Sequence, residues 1–369
     1  MLNIRELERL DAEFGDHPIR MVGPSLVGFP DGVDGSRLNM DSQYRKQWLV
    51  VKKPDFPRVF TGEENKIGKH NFKTLKGTWE VVDKIEKYGS HIYSLVLYNR
   101  ATDTYDIIEK KVAEDLAEKF GYTYNTSLMD SLEIGDKVKD CRLYEPTSYV
   151  DGNYCMGFNA KTLIITDPYT LEDAIKIYRP FAEKIIATEV DTCRVPINNN
   201  DIPLNLRGDD KEYKVIPDIG EKIHDPIVMA TRRLNLKHAA NDFQNKKTRQ
   251  ILNSDSVYYT GKDYIIYDMD IYCNNPDGFP DTVFFRQLKK YYDMQSNYAK
   301  NITKVCKEIK KSGSKYTKNV TWLKATYQDY NDPDIPWETK DGREFANIEI
   351  YFHTMADVSV QEGYKLTGR

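Results

Sequence analysis

From Phe284 to Ile309 the side chains Phe284, Leu288, Tyr291, Gln295, Tyr298, Ile302, Val305 and Ile309 recur at three- and four-residue steps, with Gln295 the one polar member. That spacing predicts a long amphipathic helix, about 40 Å at 1.5 Å per residue. Upstream, the patterns are those of strands. Alternation between Lys76 and Asp106, broken at Tyr88-Gly89-Ser90, predicts a β-hairpin, and Val257–Asp263 with Tyr264–Tyr272 predicts another turning at Gly261-Lys262. Further strands are predicted at Thr162–Thr166, Glu172–Ile177 and Ala346–His353, and a short helix at Lys110–Phe120 closed by Gly121. Asp191–Asp225 is rich in Asn, Asp, Pro and Gly, which predicts loops around short strands with an exposed tip at Asn198–Asn200, and Asn331–Gly342 is a Pro/Asp loop. The expected fold class is mainly β with α, an α+β protein.

At 369 residues and 40% hydrophobic the chain has material for sizeable cores and a soft prior of two or three domains. Its 57 acidic and 53 basic residues leave a net charge of -4, so no general attraction to nucleic acid is expected and any such contact must be local. One local excess exists: Asp281–Lys318 holds ten Lys or Arg against three Asp or Glu. A solvated helical face and a nucleic-acid contact both account for such a run. Cys141, Cys155, Cys193, Cys273 and Cys306 are odd in number and form no CxxC pair, which fits a reduced, intracellular protein without a zinc site. No window approaches 18 apolar residues, and Met1–Arg5 leads into a charged stretch, so neither a membrane span nor a signal peptide is expected.

Three separated segments carry a resemblance. The first is Val22–Asp31 followed by Ser36-Arg37-Leu38-Asn39-Met40-Asp41-Ser42-Gln43-Tyr44-Arg45-Lys46-Gln47, with Pro57–Glu63 beyond it; the second is Gly157-Phe158-Asn159, then Ile164–Ile175 around Leu171-Glu172-Asp173-Ala174-Ile175; the third is Gly363-Tyr364-Lys365-Leu366-Thr367-Gly368-Arg369. In this order they resemble the fork-loop region, the Gly-x-Asn and Phe-Glu-Asp-Ala-Ile segments, and the start of the Gly-Asp-Lys-Met-Ala-Gly-Arg motif of the β subunit of multisubunit DNA-directed RNA polymerases. Arg37, Met40, Ser42 and Gln47 fall in register, and Ile216–Val228 is similar to the flap strand. By this resemblance the nearest kin are expected among the divergent split polymerases of large bacteriophages.

The resemblance implies a fork-loop-like segment (1–75), a β-rich segment leading into a barrel (76–150), the first part of a double-psi β-barrel (151–190), a flap-like β module (191–280), a long basic helix and loop (281–345), and a returning barrel strand with the start of an RNA-binding motif (346–369). It implies in-line phosphoryl transfer assisted by two magnesium ions whose principal ligands lie on a β′ chain, since no Asp-x-Asp-x-Asp sequence occurs here. Arg37 would bind the incoming triphosphate and Gln47 would lie near the RNA 3′ end. Glu172 and Asp173 would approach the second magnesium and substrate, mostly through water, while Lys365 and Arg369 would meet phosphate at the RNA 3′ end. Tyr364 stands where the family has an aspartate, which removes a carboxylate beside that lysine. The implied partners are β′-like chains, the remaining β fragments (amino-terminal lobes and carboxy-terminal part), a promoter-specificity factor, DNA template, RNA product and nucleoside triphosphates, in the cytoplasm of an infected bacterium or in the virion. Met1 begins inside the β subunit and Arg369 ends inside a motif, so a split subunit, inactive alone, is expected.

From the residues alone, the bland readings also stand: a surface arginine in a Gly/Asp loop for Arg37, a helix or strand cap for Glu172-Asp173, and a frayed end for the tail. A β-rich structural or adaptor protein of a phage particle is the rival function. A single-chain polymerase with its aspartates in an unfamiliar arrangement is a third.

Overall fold

The computed structural model describes residues 26–27, 32–44, 50–62, 64, 72–117, 120–155, 157–169, 174–198, 200–234, 248–273, 282–328, 348–364 and 366. A helix, α1 (Gly35–Tyr44), precedes a meander of three antiparallel strands, β1 (Lys73–Glu86), β2 (Tyr93–Asn99) and β3 (Thr104–Glu109). The predicted hairpin is thus present, and its turn uses Gly89 at φ +78°, a left-handed conformation that glycine adopts without a Cβ clash.

The segment predicted as a short helix at Lys110–Phe120 instead forms β4 (Ala113–Ala117) and the start of β5 (Phe120–Asn125). Gly121 serves packing and not a helix stop. A Cβ there would lie 2.6 Å from Val190 Cγ2 and 2.5 Å from Glu114 O, so a bare backbone is what lets two strands close over it. One helical turn, α2 (Ser127–Asp130), leads to β6 (Lys137–Pro146) and a small hairpin of β7 (Tyr149–Val150) and β8 (Asn153–Tyr154).

The strand predicted at Thr162–Thr166 does not form, and the described part of the one predicted at Glu172–Ile177, residues 174–177, is not a strand either. Described residues 160–169 and 174–178 are extended or turning chain, with Leu163, Ile164 and Ile165 exposed by 78%, 96% and 62%. An alternating apolar pattern becomes a strand only beside a pairing partner, and no described strand runs next to this one.

A single turn, α3 (Arg179–Ala182), precedes β9 (Ile186–Ile197), which absorbs the first part of the stretch predicted as loops. Cys193, Val195 and Ile197 are buried at alternate positions there, a period hidden in the sequence by Asp191, Arg194 and Pro196. The Asn198–Asn200 tip and the short strands do occur: Asn198 and Asn200 are exposed, and β10 (Asp201–Pro203) and β11 (Lys222–Ile223) follow. β12 (Ile227–Arg233) pairs with β13 (Ser256–Tyr259), and then β14 (Tyr264–Cys273) departs from the predicted hairpin. β13 joins β10 and β12 in a three-stranded sheet, whereas β14 lies between β11 and the last strand of a larger one. The turn accounts for the divergence: Asp263 sits at φ +63° and donates its N–H to Ile223 O at 2.7 Å, steering the chain toward β11.

The predicted long helix is α4 (Val283–Lys311), begun by the Thr282 hydroxyl, which accepts from the Phe285 N–H. β15 (Lys315–Tyr316), α5 (Lys318–Gln328) and β16 (Ile348–Ser359) complete the order; Asn331–Gly342 lies outside the described residues. The large sheet has eleven strands in the order β11-β14-β16-β9-β5-β6-β1-β2-β3-β15, with β4 beside β5, and β15 joins β3 in parallel. No closed barrel is present among the described residues, and the mixed sheet with few helices is an α+β arrangement.

A helix of 29 residues, about 43 Å long, spans both halves of this sheet. Phe284, Leu288 and Tyr291 pack with Ile266, Met269, Ile350 and Phe352 of β14 and β16, while Tyr298, Ile302, Cys306 and Ile309 pack with Ile85, Val96 and Ile107 of the meander and Val320 and Leu323 of α5. Gln295 falls between these cores. Its side chain accepts the Ile271 N–H at 2.8 Å and donates to Ile271 O at 3.3 Å, standing in for a neighbouring strand where β11 has already ended. The opposite face of the meander closes a third core around Trp79, Leu95, Leu97, Met129 and Leu143. No helix among the described residues is long and apolar enough to cross a membrane.

Candidate functional site

Parts of the three motif segments, hundreds of residues apart in the chain, meet at one edge of β9 and β16. Val51 forms a β-bridge to Ala187, and the Lys52 N–H donates to Ile186 O at 2.8 Å while its ammonium meets Asp357 at 2.6 Å. Next, the Asp55 N–H donates to Gly157 O at 2.8 Å, and Asn159 returns the contact with its own N–H to Asp55 Oδ2 at 3.0 Å. The Asn159 amide then clasps the extended chain at 56–58, donating to Phe56 O at 2.9 Å and accepting from the Arg58 N–H at 3.4 Å. An asparagine suits this because one side chain carries both a donor and an acceptor. Beyond it, Thr61 and Gly62 N–H groups donate to the Glu64 carboxylate, with Gly62 at φ +85°.

The tail joins the same place. Val51, Ile185 and Ala187 form a small core against which Phe158, Phe181, Val360, Tyr364 and Leu366 pack. Gly363, at φ +88°, turns the chain, and the Tyr364 hydroxyl donates to Glu189 Oε1 at 2.6 Å. Burial and that carboxylate push the Tyr364 phenol up to about 12. Tyr364 thus anchors the tail to β9.

Arg37 lies in the first turn of α1, in a helix and not in the Gly/Asp loop of the bland reading. Its side chain is exposed, its guanidinium is 3.6 Å from Met40 Sδ, and no described carboxylate pairs with it. Asp167 accepts from the Tyr169 N–H at 2.7 Å and from the Lys176 ammonium, which hold its carboxyl below the usual range and tie together the chain on either side of the Glu172-Asp173 dipeptide. Gln47, Glu172, Asp173, Lys365 and Arg369 themselves lie outside the described residues.

A polar cluster that the sequence reading passed over lies where the two halves of the large sheet approach. Lys87 Nζ sits 2.7 and 2.8 Å from the two Asp268 oxygens and 3.2 Å from Asp270 Oδ1, beside a cavity of about 240 Å³ also lined by Glu109, Tyr298, Tyr327 and His353. His353 Nε2 meets Asp270 Oδ2 at 3.0 Å. Burial alone would raise the Asp270 carboxyl, yet Lys87 and His353 hold it well below the usual range; burial pushes Asp268 up in spite of Lys87. Burial opposes the Lys87 charge, and the aspartates more than restore it. The available signal was Asp268-Met269-Asp270, two carboxylates two residues apart in an apolar strand and therefore on one face. Their cation is 181 residues away in the chain, which no local pattern announces.

Glu109 Oε2 accepts from Tyr327 at 2.6 Å and Tyr298 at 3.0 Å, and burial pushes this carboxyl above its ordinary value near 4.5 despite those bonds. The folded protein therefore keeps a proton that the unfolded chain loses, and this contribution to stability declines as pH rises from the ordinary value. Glu109→Gln keeps an oxygen acceptor without the titration. Melting curves between about pH 5 and about pH 8 should show a smaller decline for the variant than for the wild type; parallel declines would remove Glu109 from the pH response.

Among the described residues no group of three His, Cys, Asp or Glu side chains is arranged to hold a metal ion. No protein-family model matches the chain.

Proposed function

We propose that this chain is a fragment of the β subunit of a multisubunit, DNA-dependent RNA polymerase, related to the split enzymes of large bacteriophages. The observation that carries the reading is a junction of motif residues: Arg58 meets Asn159, and Phe158, Tyr364 and Leu366 pack against the same small core of Val51, Ile185 and Ala187. Unrelated surface loops have no reason to converge in this way. On this reading the 151–190 and 346–369 segments contribute half of a double-psi β-barrel whose other strands come from outside the described residues.

In such an enzyme nucleotide addition is positioning plus charge neutralisation. Two magnesium ions would supply that neutralisation at the reacting phosphates, with principal ligands on a β′-like chain and Asp173 reaching the second ion through water. Arg37 would hold the incoming triphosphate with its two-pronged guanidinium, Gln47 would lie near the RNA 3′ end, and Glu172 would line the substrate side. Lys365 and Arg369 would meet RNA phosphate, with Tyr364 and Gly363 fixing the backbone between them and β9.

The test is reconstitution. Co-expressed with the polymerase-like chains encoded beside it, the protein should co-purify with a chain carrying the Asp-x-Asp-x-Asp sequence, and the assembly should make RNA from a DNA template only when this chain is included. A protein that self-assembles and ignores those chains would instead be a structural component of a particle.

A further inference from the structure

The outward face of α4 carries a charge pattern that the fold does not use. Lys300, Lys304, Lys307 and Lys311 follow at steps of four, three and four residues, so they form one stripe about 16 Å long, opposite the buried Tyr298-Ile302-Ile309 face. All four are exposed, and none takes part in an ion pair or hydrogen bond with another described residue. A solvated helix usually alternates the two signs along its surface. Here like charges sit at repelling distances, and Glu308, the one carboxylate on this half of α4, pairs with none of them. The charge continues past the helix end. Lys315 and Lys318 are exposed, and Lys310 lies 5.5 Å over the exposed Tyr316 ring. α5 packs alongside through Cys306, whose thiol meets Val320 O, and presents Trp322, 62% exposed, one turn beyond Lys318.

We infer that this face binds a single-stranded nucleic acid, its lysines following the phosphates and its aromatic rings receiving bases. A polyanion relieves the mutual repulsion of the lysines by releasing its own counterions. Exposed Tyr316, beneath Lys310, and exposed Trp322 on the adjoining helix α5 suit unpaired bases, whose faces are open to stacking. The inference stands on the charge and exposure of α4 and α5 and does not rest on the polymerase reading.

The experiment measures binding of the full-length chain, alone, to a fluorescein-labelled mixed-sequence 20-mer as single-stranded RNA, as single-stranded DNA and as a duplex, over a range of salt. The single strands should bind more tightly than the duplex. Lys300→Gln/Lys304→Gln/Lys307→Gln/Lys311→Gln should lower the slope of log affinity against log salt by about 2.8, at about 0.7 per phosphate contact on a single strand. A control with the same charge change on β1, β6 and the 161 loop, Lys76→Gln/Lys137→Gln/Lys139→Gln/Lys161→Gln, should leave that slope unchanged. Trp322→Ala should weaken single-strand binding about tenfold without altering the slope. Unchanged binding by the α4 variant, an equal loss in the control, or tighter binding to the duplex or to phosphatidylserine vesicles than to single strands would overturn the inference. Because no RNA synthesis is measured, the result is separate from the outcome of reconstitution.

Discussion

Lys87→Met is expected to lower the unfolding free energy by about 3–5 kcal/mol, because it leaves the buried Asp268 without its cation and the half-buried Asp270 with its His353 contact alone. Lys87 and Asp268 are only 5% and 6% exposed, so water cannot replace the lost ammonium. The contrast with the surface is large: the 4.0 Å pair between Lys137 and Glu80 should contribute about 0–1 kcal/mol. Urea denaturation followed by circular dichroism measures both. The pH dependence identifies the cause. Asp270 is held down in the folded protein, against burial, chiefly by Lys87, so its contribution is present above the ordinary carboxylate value near 3.8 and is lost below it, as pH falls toward the depressed folded value. The deficit of Lys87→Met should therefore shrink as pH drops below that value. Lys87→Met/Asp268→Asn/Asp270→Asn should recover much of the stability at neutral pH, since removing every charge of the cluster leaves no unpaired ion. A deficit under about 1 kcal/mol would mean that the cluster is hydrated and does not join the end of β1 to β14.

In the reconstituted assembly, Arg37→Ala is expected to lower templated RNA synthesis by about 10²–10³-fold, the usual loss when one fixed charge that stabilises a reacting group is removed. The exposed Arg37 has no described carboxylate partner, so the variant should melt with the wild-type protein and its defect would be one of chemistry. Arg37→Lys should recover only part of the rate, because an ammonium retains the charge without the fork that grips two phosphate oxygens. Initial rates at varied nucleotide concentration separate the two contributions: a kcat loss marks contact in the transition state, whereas a KM increase alone marks uniform binding. Normal rates for Arg37→Ala would remove this residue from the substrate site and weaken the motif register on which the assignment of Gln47 depends.

Local patterns carried much of the architecture. The α4 stripe was legible in outline, including its polar exception, because a helix packed on a sheet must keep one face apolar over its whole length; Val305 is only partly buried, and Ala299, Thr303 and Cys306 join the buried face. The β1–β2 hairpin was equally legible from alternation around a glycine turn. The misreadings share one cause. At 113–125 a helical spacing gave way to two strands because Gly121 lets β4 and β9 approach, a contact made with residues about 70 positions away. At 162–166 the alternation was real but had no described strand to pair with, and at 257–272 two true strands went to different sheets. Which strands pair is a non-local matter, and side-chain period does not encode it.

The candidate site divides along the same line. The three motif segments and the cationic character of the 281–318 stretch were legible before any fold was known. These depend on residue type and short spacing, which a linear chain displays directly. Folding brings about the rest: Asn159 clasps 55–58, Tyr364 is anchored on Glu189, four lysines of α4 stand in one unpaired row, and Lys87 completes a charge cluster with Asp268 and Asp270. Each of these is set by which distant strands lie side by side. Burial then makes the arrangement energetically consequential, since a charge removed from water must find its partner wherever the fold has brought one.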